Sequence, residues 1–347
     1  MLERAARGNR TLAALLKDHA QAFSPTLHPF RHANCPPLHI RRQGNLLPDW
    51  RPQYRMPPVS AKTASTEIQN LLQLGIVQPA TSTRFNNPIV MVAKPNGGIR
   101  MCVDLTATNV ITIPDLFPLP TVQDTLHNLA RSDTFSSFDC TSFFFQLPLH
   151  LADRPLTAFT DPSSKERFQF TRAVMGFTNS SPHAQRFTTD LLYPMRHQVT
   201  GFVDDYHVAT MGADENIRAC IALWRRCIDF RVLLHPGKMQ LLQSTINSLG
   251  HKVSHQSIQV TPDKVAAIVD WPTPTTKKMV RSFLGLVTFH QLHSSRILLP
   301  HYPTPYMMTA LSSGPGFVKN TFTFKPSNDH FIKYTATVQR SIKRSFY

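Results

Sequence analysis

The chain has 347 residues and carries 37 Lys and Arg against 21 Asp and Glu, which gives a net charge of +16 and an isoelectric point near 10.0. This excess of positive charge favours a polyanionic partner, with nucleic acid ahead of an acidic membrane surface. No apolar run reaches the roughly 18 residues of a membrane span, and the five cysteines have no zinc-binding spacing. We therefore expect a reduced, intracellular protein with no membrane segment and no secretion signal.

The first 47 residues are basic and rich in proline, a composition that predicts a disordered extension. Order is expected to begin near Pro48. The segment Thr66–Gly75 has the apolar spacing of a helix that ends at its glycine.

Two short apolar runs, Pro88–Val92 and Ile99–Val103, are predicted to pair as a hairpin around the Asn96-Gly97 turn. Lys94 and Arg100 flank that turn. Two cations on a hairpin can grip a triphosphate, because arginine offers paired donors and lysine a point charge. Two solvated cations on an exposed hairpin are the alternative.

Two adjacent acids, Asp204 and Asp205, lie between an apolar approach and the strand-like run Tyr206–Thr210, a pattern that predicts a β-hairpin with both acids at its tip. Neighbouring carboxylates repel each other, and a pair of divalent metal ions about 3.5–4 Å apart is the usual solution in enzymes that move phosphates. An exposed Asp-Asp turn has the same pattern. Asp139 argues against that alternative because it ends another predicted strand and supplies a third acid.

Strand, helix and strand alternate around these acids, which predicts an α+β layer whose sheet carries the carboxylates. A series of short motifs then runs in order from about Pro48 to Leu292. The motifs are Leu74–Pro79, Asn87–Val92, Gly98–Asp104, Phe117–Pro120, Phe138-Asp139, Gly176–Asn179, Gln185-Arg186, Phe202–Asp205, Ser248–His251, Asp270–Pro274 and Arg281–Leu286. In this order they resemble the reverse transcriptases of gypsy-type LTR retrotransposons and retroviruses.

The resemblance implies an α+β right-hand polymerase, with fingers and palm over residues 48–255 and a thumb or connection segment with a truncated basic tail over residues 256–347. It implies RNA-directed DNA synthesis, in which a dNTP adds to the 3′-hydroxyl of a primer on an RNA or DNA template. Asp139, Asp204 and Asp205 match the acids that bind two Mg²⁺ ions, for which Mn²⁺ can substitute. The main-chain carbonyl of Cys140 is implied as a further ligand.

Other residues match positions that contact the incoming nucleotide. They are Lys94 and Arg100 on the triphosphate, Phe144 at the sugar gate, Met175 and Gly176 beside the nucleotide pocket, and Lys238 as the group that protonates pyrophosphate.

The sequence also departs from the family pattern. Thr106–Asn109 stands where relatives usually carry Arg-Ala-Leu-Asn, and Val174–Gly176 replaces Pro-Phe-Gly or Pro-Gln-Gly. A decayed, inactive protein that still binds nucleic acid therefore stays open as an alternative, and a metal nuclease is a second one that Lys94 and Arg100 speak against. The roughly 55 residues beyond Leu292 are too few for an RNase H domain, so we expect a fragment of a longer polyprotein or a decaying copy.

Overall fold

The computed structural model describes residues 10–48, 50–80, 83–93 and 99–261, isolated positions between 271 and 282, and the backbone of three strands beyond residue 306. Contacts divide the chain into two units, Met1–His293 and Ser294–Tyr347. Most of the predicted segment 270–286 lies outside the described residues. The predicted boundaries between fingers, palm and thumb stay predictions.

The first unit mixes helices with small antiparallel sheets. Its α-helices in the described ranges are α1 (Arg10–Asp18), α2 (Pro58–Gln73), α3 (Thr106–Ile111), α4 (Val122–Leu129), α5 (Ser180–Leu192) and α6 (Ala213–Asp229). Short 3₁₀-helices cover Ala20–Ala22, Phe143–Gln146, Leu151–Thr157 and Tyr193–Met195. None of the described helices combines the length and the apolar character that a membrane crossing requires.

The strands of the first unit are β1 (Val77–Pro79), β2 (Ile89–Ala93), β3 (Ile99–Val103), β4 (Thr134–Asp139), β5 (Phe159–Thr160), β6 (Arg167–Phe170), β7 (Val199–Phe202), β8 (Asp205–Thr210), β9 (Gln240–Gln243), β10 (Thr245–Ser248), β11 (His251–Ser254) and β12 (Ser257–Val260). The second unit contributes an antiparallel meander of β13 (Met307–Ser312), β14 (Phe317–Phe324) and β15 (Ile332–Gln339).

A four-stranded antiparallel sheet, in the order β7-β8-β4-β9, forms the centre of the first unit. Most side chains of β4 and β8 are buried, and the two strands pack on α6. Trp224 of α6 is fully buried there, with its ring edge-on to that of Phe138 at 6.1 Å. Ser136, in the middle of β4, is also buried and donates to Asn216 Oδ1 at 2.5 Å, so the helix meets the sheet through a polar contact as well.

The predicted hairpin of apolar runs is confirmed in its pairing. β2 and β3 are antiparallel partners, with Met91 opposite Met101 and Val92 opposite Arg100. The residues that connect the two strands, 94–98, lie outside the described residues, and Lys94 is among them. The predicted helix at Thr66–Gly75 is longer than expected, since α2 begins at Pro58, where proline at the first helical position is well tolerated.

The N-terminal segment differs from its prediction. Residues 1–47 were expected to form a disordered extension, but residues 10–47 are ordered and their apolar side chains enter the main core. Leu16 and Leu38 are buried, and Leu38 N donates to Pro148 O at 2.8 Å. The composition averaged over the segment hides these apolar residues, which pack into a core shared with residues far away in the chain.

His207 lies on β8 with 4 % of its surface exposed, and its Nε2 is 2.9 Å from Ser248 Oγ. Burial lowers the pKa of this imidazole from 6.5 to about 4. The unfolded chain therefore takes up a proton at higher pH than the folded chain does. Its contribution to stability is complete above about pH 6.5 and is lost as the pH falls toward about 4.

We expect this group alone to lower the free energy of unfolding by about 2 kcal/mol between about pH 7 and about pH 5. Urea unfolding in metal-free buffer at both pH values measures the effect. The His207→Gln variant should lose about that much of the pH dependence, while the same change at the exposed His197 should leave it intact. Equal pH dependence in the wild type and His207→Gln would contradict the prediction.

Candidate active site

Three acids meet at the ends of two neighbouring strands. Asp139 is the last residue of β4 and Asp205 the first of β8, and the two are paired across the sheet. Asp204 lies in the turn just before Asp205, and its carbonyl accepts a hydrogen bond from Cys140 N at 2.9 Å. The predicted hairpin is thus confirmed, since β7 and β8 pair on either side of the Val203-Asp204 turn. Asp205 is already within the ladder and does not lie at the tip.

The turn that carries Asp204 is strained and is held from below by α5. Val203 has a φ of 54°, which is unfavourable for a β-branched residue. The Gln185 side chain accepts from Val203 N at 2.8 Å and donates to Gly201 O at 3.1 Å, while Thr188 Oγ1 donates to Val203 O at 2.7 Å. These three bonds fix the backbone at Gly201 and Val203, just before Asp204, and the position of Asp204 with it.

Gly201 allows this close approach of hairpin and helix. A Cβ atom at Gly201 would lie 2.5 Å from Leu192 Cδ1 and closer still to Thr188 Cγ2. Any larger residue would therefore push β7 away from α5 and loosen the turn that α5 supports.

The ionised forms of Asp204 and Asp205 are disfavoured at this site. Burial, together with the nearby charges of Asp204 and Asp139, raises the pKa of Asp205 to about 6. Burial and the charge of Asp139 also raise the pKa of Asp204, and Lys238 opposes both shifts. Carboxyl groups whose ionised form is disfavoured in this way are favourable places for a cation.

In the described part of the chain, Lys238 is the cationic side chain that pairs with one of the three acids. Its Nζ lies 2.8 Å from Asp139 Oδ1 and 3.0 Å from Oδ2, although the two residues are 99 positions apart. A turn that begins at His235 places it there, since Lys238 N donates to His235 O at 3.2 Å. The lysine side chain is 58 % exposed, and an ion pair this open contributes only about 0–1 kcal/mol. It can therefore open readily.

The donors at the site are hard oxygens, which suits Mg²⁺ or Mn²⁺. The thiol of Cys140 is buried, and that burial raises its pKa well above the usual value, so only its main-chain carbonyl could serve as a ligand. In the described part of the chain, the ligand atoms of the three acids are not gathered within 4.8 Å of one another. Lys238 instead occupies both oxygens of Asp139.

Several of the residues predicted to contact the nucleotide lie close to one another. Arg100 is exposed on β3, and its Nη1 lies 3.4 Å from Met175 Sδ. Gly176 follows with a φ of +89°, a conformation that favours glycine. The Asn109 side chain donates to Gly176 O and accepts from Thr178 N, both at 2.9 Å. Arg100, Met175 and Gly176 are therefore brought together, while Lys94 lies outside the described residues.

The three consecutive phenylalanines of the 3₁₀ turn after β4 point in different directions. Phe143 is buried, with its ring 6.1 Å from that of Phe187 and 6.4 Å from that of Tyr206. Phe145 stacks on Phe170 at 6.1 Å. Phe144 is half-buried at the edge of the core.

Sequence reasoning gave no role to the residues that hold these loops. In the sequence, Gln185 and Asn109 fall within family motifs that assign them no such role, and Thr188 falls within none of those motifs. A usable signal existed in α5, where Gln185 and Thr188 are three residues apart and so share the face on which Leu191 and Leu192 are buried. Polar side chains on a buried helical face need partners, and here those partners are backbone groups of the turn.

Comparison with known proteins agrees with this geometry. Residues 92–253 match the family described as "Reverse transcriptase (RNA-dependent DNA polymerase)". The chain is 31% identical over 289 residues to the retrovirus-related Pol polyprotein from transposon opus of Drosophila melanogaster, over 81% of this chain and 28% of that protein. It is 29% identical over 235 residues to the Pol polyprotein from transposon gypsy of the same organism, over 66% of this chain and 22% of that protein.

Solved structures share the fold. A foamy viral protease-reverse transcriptase in complex with double-stranded DNA superposes with a TM-score of 0.76 at 21% identity, covering 97% of this chain and 66% of that one. The same type of enzyme with an RNA/DNA hybrid gives 0.71 at 24% identity, over 83% of this chain and 39% of that one. The chain spans about a quarter of the length of the curated relatives it matches. It carries a right-hand polymerase fold and belongs to the reverse transcriptases of gypsy-type retrotransposons and their retroviral relatives.

Proposed function

We propose that this domain adds nucleotides from dNTPs to the 3′-hydroxyl of a primer annealed to an RNA or DNA template. The observation that carries the proposal is the pairing of Asp139 with Asp205, next to Asp204, at the ends of two adjacent strands. The net charge of +16 supports a nucleic-acid partner. The foamy viral structures with an RNA/DNA hybrid and with double-stranded DNA support the same class of partner.

Enzymes of this family use divalent metal ions, and two Mg²⁺ ions would be held here by Asp139, Asp204 and Asp205 with the main-chain carbonyl of Cys140. Mn²⁺ can substitute, since it prefers the same oxygen ligands. The raised pKa values of Asp204 and Asp205 fit this proposal because burial and the neighbouring carboxylates disfavour their ionised forms, which a bound cation would stabilise. When bound, the ions would lower the pKa of the primer hydroxyl and neutralise charge on the leaving pyrophosphate.

Lys238 supplies the proton for the leaving group. Its ion pair with Asp139 is open to solvent and weak, so the ammonium group can leave the carboxylate when the phosphates of a nucleotide arrive. The turn at His235 keeps Lys238 beside the acids after it has left Asp139. There it donates a proton to the pyrophosphate oxygen as the bond to the α-phosphorus breaks.

The incoming nucleotide is gripped from the fingers side. Arg100 offers paired N–H donors to the triphosphate, and Lys94 adds a point charge from the same hairpin. Met175 and Gly176 line the nucleotide pocket, and Asn109 fixes their loop through Gly176 O. The Asn109 contacts survive although Thr106 stands where relatives have arginine, which supports an active site over a decayed one.

Phe144 selects the sugar. Phe143 is buried, and Phe145, which is half-buried, stacks on Phe170, so the gate is assigned to the half-buried Phe144, whose ring lies 6.5 Å from that of Phe143. A deoxyribose packs against such a ring, whereas the 2′-hydroxyl of a ribose meets it sterically. Phenylalanine has no hydroxyl group, so rejection works by shape alone.

The Asp204→Asn variant tests the catalytic role of the acids. Because it removes a charged ligand but no backbone contact, we expect primer extension with Mg²⁺ and dNTPs to fall at least about 10³-fold, which is several kcal/mol. Affinity for primer–template should stay within a few-fold, measured by fluorescence anisotropy. Asp190→Asn is the matched control at an exposed acid on α5 and should leave both quantities unchanged.

Near wild-type extension by Asp204→Asn would exclude Asp204 as a metal ligand. If the wild-type protein binds primer–template but does not extend it, the alternative of an inactive nucleic-acid-binding protein is correct. Degradation of the primer would point to a metal nuclease.

The Phe144→Val variant tests the sugar gate. The smaller side chain opens space for the 2′-hydroxyl, so the efficiency of ribonucleotide relative to deoxyribonucleotide incorporation should rise at least about tenfold, or 1.4 kcal/mol in the transition state. Single-nucleotide incorporation kinetics measure this ratio. Phe145→Val makes the same change one residue away, where the ring stacks on Phe170, and should keep the sugar preference. If Phe145→Val relaxed the sugar preference and Phe144→Val did not, the gate would be Phe145 and not Phe144.

A further inference from the structure

A second group of metal-ligating side chains lies away from the three acids. His39 Nδ1 is 3.3 Å from Asp153 Oδ2, and His150 Nδ1 is 3.8 Å from the same oxygen. The two imidazole rings face each other with centroids 3.9 Å apart. In the part of the chain that the structure describes, this is the group of His, Cys, Asp or Glu residues whose ligand atoms all lie within 4.8 Å of one another.

Backbone hydrogen bonds hold the three residues in place. Leu38 N donates to Pro148 O at 2.8 Å and His150 N donates to Leu38 O at 2.9 Å, so the residues after Leu38 and Leu149 lie side by side. Ile40 N donates to Asp153 Oδ2 at 3.0 Å. The carboxylate is thus oriented by a main-chain amide, which is how outer contacts orient metal ligands in proteins.

The spacing suits a small tetrahedral ion. Zinc bonds to imidazole nitrogen and carboxylate oxygen are about 2.0–2.2 Å long, which separates neighbouring ligand atoms by about 3.3–3.5 Å in a tetrahedron. The His39 to Asp153 distance is already 3.3 Å and the His150 to Asp153 distance is 3.8 Å, while the two stacked rings, with centroids 3.9 Å apart, must swing apart for both Nδ1 atoms to face one ion. His150 Nδ1 is buried and has no hydrogen-bond partner in the described part of the chain. A bound ion would satisfy it.

We propose that His39, His150 and Asp153 bind one divalent transition-metal ion, with Zn²⁺ the best match and a water molecule completing the shell. Imidazole ligands favour Zn²⁺ over Mg²⁺, so this site and the all-oxygen site of the three acids take different metals. The ion joins His39, in the N-terminal segment, to two residues that follow the Phe143–Gln146 turn by only a few positions. Its role is to lock the N-terminal segment onto the polymerase domain.

The test uses the full-length chain without an affinity tag, stripped of metal with a chelator and then kept in millimolar Mg²⁺. Calorimetric titration with Zn²⁺ should show one site that His39→Ala, His150→Ala and Asp153→Asn each weaken at least about tenfold. Asp153→Asn keeps an acceptor for Ile40 N and so removes the charge with little effect on folding. His197→Ala and Asp190→Asn are matched controls at exposed positions and should bind Zn²⁺ as the wild type does.

Two further measurements separate this site from other sources of binding. Saturating Zn²⁺ should raise the Tm of the wild type by about 5 °C or more and leave that of Asp153→Asn unchanged. Co²⁺ should give the visible spectrum of a tetrahedral nitrogen–oxygen site, which His150→Ala abolishes. Undiminished Zn²⁺ binding by His39→Ala and Asp153→Asn would overturn the proposal, as would loss of that binding in Asp204→Asn alone, which would place the ion at the three acids.

Discussion

The burial of Asp204 and Asp205 beside a third carboxylate is the constraint around which this domain is built. The pairing of Asp139 with Asp205 places them on adjacent strands, and a slip of one residue would turn Asp205 to the opposite face of the sheet. The positive φ of Val203, in the turn before Asp205, costs of order 1–3 kcal/mol. Two hydrogen bonds between the Gln185 side chain and the backbone offset that cost. The sheet and α5 therefore act together to hold neighbouring carboxylates in place, an arrangement that a bound cation would stabilise.

The N-terminal segment belongs to the same construction. Leu234 lies between Phe23 and Cys140, forming one bridge to each, so the segment extends the sheet beside the strand that ends in Asp139. Thr141 Oγ1 adds a hydrogen bond to Ser24 O at 2.6 Å. Residues that a composition count assigns to a disordered tail thus support the backbone next to the acids. A metal ion at His39 would strengthen the same attachment from the other end of the segment.

Short sequence patterns predicted the hairpins, because the pairing of such strands depends on residues close together in the chain. Two short apolar runs around an Asn-Gly pair predicted the β2–β3 pairing, and the acids between two strand-like runs predicted the β7–β8 hairpin. The ion pair of Lys238 with Asp139 and the bond from Ile40 N to Asp153 join residues 99 and 113 positions apart, so no periodicity within a window could reveal them. Family motifs pointed to Lys238, but for His39 there was neither a local pattern nor a motif to follow.

The most direct test of a two-ion centre is a crystal structure of the chain with primer–template, a non-hydrolysable dNTP analogue and Mn²⁺. The anomalous difference map should show two peaks about 3.5–4 Å apart, bound by oxygens of Asp139, Asp204 and Asp205. Lys238 Nζ should have left Asp139 and should lie beside the terminal phosphates. A map with nucleotide bound but no peak at the acids, and with Lys238 still paired to Asp139, would contradict a metal-dependent polymerase.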